Sequence, residues 1–295
     1  MITPPSLQKG DTVAIVATAR KNLDDNLGPA ITWLKSLGLE VVIGKTIGLD
    51  HYQLAGTDAE RAADFQAAMD NPNIKMIWCV RGGYGTVRMI DLLDFTQFLK
   101  HPKWVVGFSD VTVLHSHLNT LGVQSIHGIM PVNAKASAAA KESLRQALFG
   151  ETLEYHLPCD ALNRTGTATG QLVGGNLSIL YSLFGSPSAI DCSDKILFLE
   201  DLDEYIDRML MNLKRNGCLE SLKGIIVGSM TKMHDNEIPW GKNALEIIED
   251  ITKNYHIPII YNFPAGHIAD NRALIFGRTV TLDVTETESH VVFHP

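Results

Sequence analysis

Cysteine is scarce in this chain. The 295 residues hold four, Cys79, Cys159, Cys192 and Cys218, with no Cys-x-x-Cys pair and no zinc spacing among them. A disulfide framework is not expected in a chain of this size, and four dispersed thiols fit a reducing compartment. Cys79 stands inside an apolar run and reads as a buried thiol. Long hydrophobic runs are missing as well. VAIVA falls far short of the ~18 apolar residues that a membrane span needs. MITPPSLQKGDTVAIVATAR lacks the basic start and apolar segment of a signal peptide. A cytoplasmic protein that does not enter membranes is expected. Positive charge is the minority: 25 Lys+Arg against 33 Asp+Glu leave −8, the wrong sign for a nucleic-acid binder. No H-E-x-x-H, Cys/His cluster or EF-hand loop occurs, so no metal is implied, and no cofactor is expected.

What is present is an ordinary globular composition, 45% apolar and 20% charged, over a length that suits two domains. The first half alternates strand-like and helix-like segments. TVAIVAT, EVVIGK, IKMIWCV, KWVVGF and VQSIHG read as strands. LGPAITWLKSLG, TDAERAADFQAAMD and SDVTVLHSHLNTLG read as helices, the second opened by a Thr57/Glu60 capping box. That alternation implies βαβ units and a parallel, Rossmann-like sheet flanked by helices. Residues 134–165 change character: a helix in AKASAAAKESLRQALFG, then polar, irregular chain. They are taken as a linker between a domain at 1–133 and a smaller, mixed and β-rich domain at 166–295. The second domain ends in ALIFGRTVTLDVTETESHVVFHP, which alternates like a β-hairpin with one wet face.

Chemistry concentrates where strands end. Ser109 follows the strand KWVVGF and opens a helix, so it can be an N-cap or a nucleophile with the N–H of Asp110 beside it. Val111 replaces the second glycine of G-x-S-x-G, so this is not an α/β-hydrolase elbow. RGGYGT, residues 81–86, can approach a ligand closely or be a plain tight turn. His115 and His117 lie on the helix after Ser109 and read as packing or surface residues. His127 ends a strand at the ligand edge of the sheet, and His267 follows a glycine in the loop FPAGHIADN. Glu200 and Asp201 end the apolar strand ILFLED, where exposure is expected. Asp203, Glu204 and Asp207 read as helix-start acids, with Arg208 as a partner. GQLVGGN, residues 170–176, resembles a phosphate loop only superficially, and close strand–helix packing is the plainer reading.

The order RGGYG, GFSD, GQLVGGNLSIL, LFLED…DRML and GH before a hairpin resembles the LD-carboxypeptidase family of serine peptidases, over roughly residues 10–285. The family includes murein tetrapeptide carboxypeptidases and the microcin C self-immunity protein. The resemblance implies a Ser-Glu-His triad of Ser109, Glu200 and His267 in a cleft between two domains. It implies an oxyanion hole from the backbone N–H groups of Gly83, Tyr84 and Asp110. The expected reaction releases terminal D-alanine from a muropeptide tetrapeptide stem during cell-wall recycling, and a homodimer is implied. Arg81 is a candidate for the substrate's terminal carboxylate and His127 for lining the site. The first loop departs from the family, with Ala17-Thr18-Ala19-Arg20 where an Ala-Pro-Ser-like sequence is usual. Two other readings stay open: the same chemistry on a peptide–nucleotide antibiotic, and a non-enzymatic small-molecule binder.

Overall fold

The structure is a computed structural model that describes residues 1–22, 27–133 and 135–295. Ala134, where the expected linker begins, lies outside the described residues. Along the chain the elements are β1 (Thr12–Val16), α1 (Gly28–Ser36), β2 (Glu40–Ile43), α2 (Asp58–Asp70), β3 (Ile74–Cys79), α3 (Thr86–Met89), α4 (Thr96–Lys100), β4 (Trp104–Gly107), α5 (Thr112–Thr120), β5 (Ser125–His127) and α6 (Ala138–Phe149). There follow β6 (Glu154–Pro158), β7 (Gly166–Asn176), α7 (Leu177–Leu183), β8 (Lys195–Leu202), α8 (Asp207–Arg215), β9 (Gly224–Thr231), α9 (Ala244–Thr252), β10 (Ile259–Ile260), β11 (Leu274–Phe276), β12 (Thr279–Val284) and β13 (Glu288–Phe293).

The near-continuous apolar runs of β1, β3 and β4 reflect cover on both faces of a parallel sheet. Val13 and Ile15 point to one side, into a core with Leu34, Trp78 and Leu144. Ala14 and Val16 point to the other, against Phe65, Met69 and Leu114. The order of this sheet is β11-β5-β4-β3-β1-β2, parallel throughout except for β11. The α/β class and the mixed second sheet agree with expectation. That sheet runs β10-β9-β8-β7-β12-β13-β6, its first four strands parallel and its last three antiparallel.

Period-two alternation sorts the residues of β8. Ile196 and Phe198 join the core shared with the first sheet, whereas Leu197 and Leu199 face α7, α8 and α9. Glu200 falls in step with Ile196 and Phe198. It therefore points toward the first sheet, where Ser109 stands.

Three expectations need correction. The stretch read as polar and irregular holds β6, which pairs with β13. Leu274–Phe276, read as the start of the terminal hairpin, instead crosses to the first sheet and pairs with β5. Phe276 and Leu274 are fully buried there, so that short apolar triplet stabilises the interdomain core. Cys192 and Cys218 form a disulfide, 26 residues apart, beside β8 and α8. Cys79 and Cys159 are free, and Cys79 is buried as expected, its thiol pushed up to about 12 by desolvation.

Candidate active site

Ser109 follows β4 through Phe108 and has φ of +63°, a left-handed conformation that a serine adopts only under constraint. Its hydroxyl caps neither the short 3₁₀ turn Ser109–Val111 nor α5. The N-cap reading fails because a true N-cap has extended backbone, which this turn denies. The side chain instead faces His267, with Nε2 3.1 Å from Ser109 Oγ. On the other side of the ring, Nδ1 stands 2.7 Å from Glu200 Oε2. A carboxylate can only accept, so Nδ1 carries the proton and Nε2 is left to accept from the serine. Phe108 packs against the imidazole at 4.9 Å between ring centroids.

Glu200 and Asp201 are both completely buried, contrary to the exposure expected at a strand end. Glu200 lies where β9 bulges: Leu199 pairs with Val227 and Asp201 with Met230, so two residues of β9 face one of β8. Asp201 turns the other way. It accepts hydrogen bonds from Asn176 Nδ2, Ser178 N and its neighbour's N–H of Leu202, each at 2.8 Å. Burial and then the charge of Glu200 push its carboxyl up to about 6. Asp201 thus ties α7 to β8 and does not touch His267.

The His267 loop is held by a residue that sequence reading missed. Asn271 Oδ1 accepts the N–H of Gly266 at 2.8 Å and Nε2–H of His127 at 3.0 Å. His127 is fully buried, with its pKa driven down to about 3 by desolvation and by His115. It cannot line a substrate site: a buried ring between Phe108, Phe198 and Phe276 is a packing element. His115 is likewise buried, bridging Ser125 Oγ and Gly107 O at 2.9 Å each, and His117 is half-buried against Ser188.

The RGGYG turn lies against the serine. A Cβ on Gly82 would stand 3.0 Å from Ser109 Cβ and 3.1 Å from Asp110 N. Gly83 has φ of +114° and packs on the Arg20 side chain. The carboxylate of Asp110 accepts Thr86 N–H at 2.9 Å, which joins the far end of this turn to the serine turn. Buried Arg61, from α2, donates to the carbonyls of Thr18 and Gly85 and pairs with Asp58. No signal in the sequence marked Arg61, whose acceptor carbonyls lie 43 and 24 residues away, or Asn271, which stands in a loop without periodicity. Arg81 is partly buried and donates from Nη1 to Lys21 O at 2.9 Å. The glycines of GQLVGGN serve close packing: a Cβ on Gly174 would meet Phe198 O at 2.0 Å, and one on Gly175 would meet Thr112 Oγ1 at 2.5 Å. Among the described residues no group of three or more His, Cys, Asp or Glu could hold a metal ion. No described helix is long and apolar enough to cross a membrane.

Known proteins are similar to this chain over most of its length. Residues 13–128 match the LD-carboxypeptidase N-terminal domain and residues 169–282 the LD-carboxypeptidase C-terminal domain. A probable murein peptide carboxypeptidase of Bacillus subtilis is 35% identical over 96% of this chain and 92% of its own length. The murein tetrapeptide carboxypeptidase of Pseudomonas aeruginosa is 30% identical over 92% of each. The crystal structure of muramoyltetrapeptide carboxypeptidase from Oxalobacter formigenes superposes with a TM-score of 0.87 at 28% identity, over 96% of this chain and 99% of that one. The microcin C7 self-immunity protein MccF has the same fold, with a TM-score of 0.87 at 20% identity and 98% coverage of both. Fold and matches together define a carboxypeptidase. The chain belongs to the LD-carboxypeptidase family.

Proposed function

We propose that the protein is a serine LD-carboxypeptidase that releases terminal D-alanine from muropeptide tetrapeptide stems in cell-wall recycling. The observation that carries this reading is the unbroken chain from Ser109 Oγ through His267 to Glu200, with 3.1 Å and 2.7 Å links. His267 Nε2 takes the hydroxyl proton as Ser109 attacks the scissile carbonyl, and Glu200 stabilises the imidazolium. The N–H groups of Gly83, Tyr84 and Asp110 receive the oxyanion, each donor contributing roughly 3 kcal/mol in comparable sites. His267 then protonates the leaving amine of D-alanine. Water, deprotonated by the same imidazole, hydrolyses the acyl-enzyme and frees Ser109.

The relatives named for murein peptides support this substrate class. The peptide–nucleotide alternative rests on likeness of fold alone, since those structures are 20% identical to this chain. A homodimer and a cytoplasmic location belong to the same proposal. The test is mass spectrometry of a soluble muropeptide tetrapeptide incubated with the protein in EDTA, beside Ser109→Ala. Loss of one alanine with the parent protein only is expected. Equal loss with both proteins would remove Ser109 from the mechanism, and no loss from a folded parent protein would remove the substrate.

A further inference from the structure

A cavity of about 900 Å³ lies apart from the serine. It opens off the second sheet, between the chain that follows β8 and the chain that follows β9. Strands β7 to β10 run parallel, so these loops leave the same carboxyl edge from which Glu200 and the His267 loop project. Ligands bind at that edge in open α/β sheets. Tyr205 and Trp240 line the cavity with about half of each ring exposed, 50% and 52%. Two large aromatic faces held open to solvent at one cavity are unusual for side chains that gain so much from burial.

The cavity wall is built, not accidental. Tyr205 stacks on His234 at 5.2 Å and 24°, and His234 Nε2 is 3.0 Å from Asp203 Oδ1. Asp235 Oδ1 accepts the backbone N–H of Trp240 at 2.8 Å, which holds the loop that carries the indole. Three polar side chains on the same wall, Glu204, Asp207 and Arg208, have no hydrogen-bond or ion-pair partner among the described residues. Arg208 therefore does not pair with its acidic neighbours as the sequence suggested.

This combination specifies a ligand chemistry. Exposed aromatic planes stack on the C–H face of a sugar ring as well as on flat rings. Two carboxylates want donors, and one guanidinium wants an acceptor. A nucleotide phosphate would meet more acid than base here, and an ammonium would leave Arg208 opposed. A neutral ring bearing hydroxyls and an acetamido group satisfies all three. We infer that this cavity binds an N-acetylated amino sugar of the glycan that carries the stem peptide. The inference rests on the murein-peptide reading above and extends it: the peptide lies at Ser109 while the sugar lies in the aromatic cavity. The enzyme then discriminates glycan-linked stems from free ones.

The experiment has two parts. First, kcat/KM is measured on the disaccharide-tetrapeptide and on the free tetrapeptide, for the parent protein, Trp240→Ala and Tyr205→Leu. Both rings are half exposed, so their replacement removes little from the core. The expected ratio is roughly tenfold or more in favour of the disaccharide substrate, falling to near one in both variants. A ratio near one in the parent protein, or variants that lower both substrates equally, would overturn the inference and leave the carboxypeptidase reading intact. Second, the peptide-free disaccharide is titrated into Ser109→Ala while tryptophan fluorescence is followed, with Trp240→Phe added to assign the signal. Saturable quenching that is lost in the Trp240→Phe background is expected. Quenching without any cleavage by the parent protein would keep the sugar site and reject the peptidase reading. Quenching by adenosine monophosphate in place of the disaccharide would give the cavity to a nucleotide and overturn the inference.

Discussion

A Cβ on Gly266 would stand 2.8 Å from Oε2 of Glu200 and 2.9 Å from its Cβ. The residue before the histidine is thus in contact with the carboxylate that the histidine meets. Its φ of +116° adds a backbone reason for glycine. Gly266→Ala is expected to push the His267 loop off Glu200, lowering kcat roughly 100-fold or more, since small misplacements of a catalytic group cost on that order. Glu200→Gln, which keeps size and fold, should lower kcat by roughly 10⁴-fold by analogy with other triads. Stopped-flow or steady-state hydrolysis of the tetrapeptide measures both. Near-parent activity in Glu200→Gln would reject its role.

The approach of Gly82 to the serine turn is a test of the oxyanion site. Gly82 has no positive φ, so alanine there brings little backbone strain and acts through its methyl group, 3.1 Å from Asp110 N. That atom is backbone and cannot swing away. Gly82→Ala should lower kcat by roughly 10²–10³-fold, the usual effect of losing one oxyanion donor, with a smaller change in KM. An unchanged kcat would take the Asp110 N–H out of the oxyanion hole.

Buried histidine makes stability depend on pH. His127 is uncharged in the folded protein down to about pH 3, against an ordinary value of 6.5. Its contribution is complete above pH 6.5 and declines as pH falls below it, because the unfolded chain takes up the proton first. Asp201, raised to about 6, acts in the opposite sense: its contribution is complete below the ordinary aspartate value and is lost as pH rises through 6. His127→Gln can still donate to Asn271; it removes the titration, and the ring packing lost with it is the same at every pH. Between pH 6 and 4 the parent protein should lose stability faster than this variant, by about 1 kcal/mol per pH unit. Urea unfolding of both proteins at several pH values measures the difference. Parallel pH profiles would show that His127 is not buried neutral.

The Cys192–Cys218 bridge closes a loop of 26 residues around β8 and α8. In the chain-entropy account such a bridge stabilises by about 3 kcal/mol. Thiol titration in denaturant should find two thiols without reductant and four with it, matching free Cys79 and Cys159. Reductant, or Cys192→Ser, should lower Tm measurably. Four thiols in the untreated protein would mean that the bridge is absent.

Local pattern made much of this molecule readable in advance. Strand-ending Ser109, the glycines of RGGYG and the capping box of α2 are short-range features, determined by residues within a few positions of one another. The parallel class of the first sheet followed in the same way, from apolar runs alternating with amphipathic ones. The family resemblance then named Glu200 and His267, which local reading had left among several acids and histidines. Their meeting is a tertiary matter. Glu200 is 67 residues from His267, and His267 is 158 from Ser109. Which way Glu200 points depends on the phase of β8, and what it meets depends on two sheets sharing one core. The same cause explains the misreadings. Whether His127 lines a site or packs under it, whether a strand end is exposed, and whether two distant cysteines touch are decided by neighbours that are remote in sequence. Sequence by itself determined most of the elements, though not β6 or the placing of β11, and the types of side chain at their ends. Only the packing of the two sheets decided which of those ends became one site, because burial and hydrogen-bond distance are properties of contacts and not of spacing.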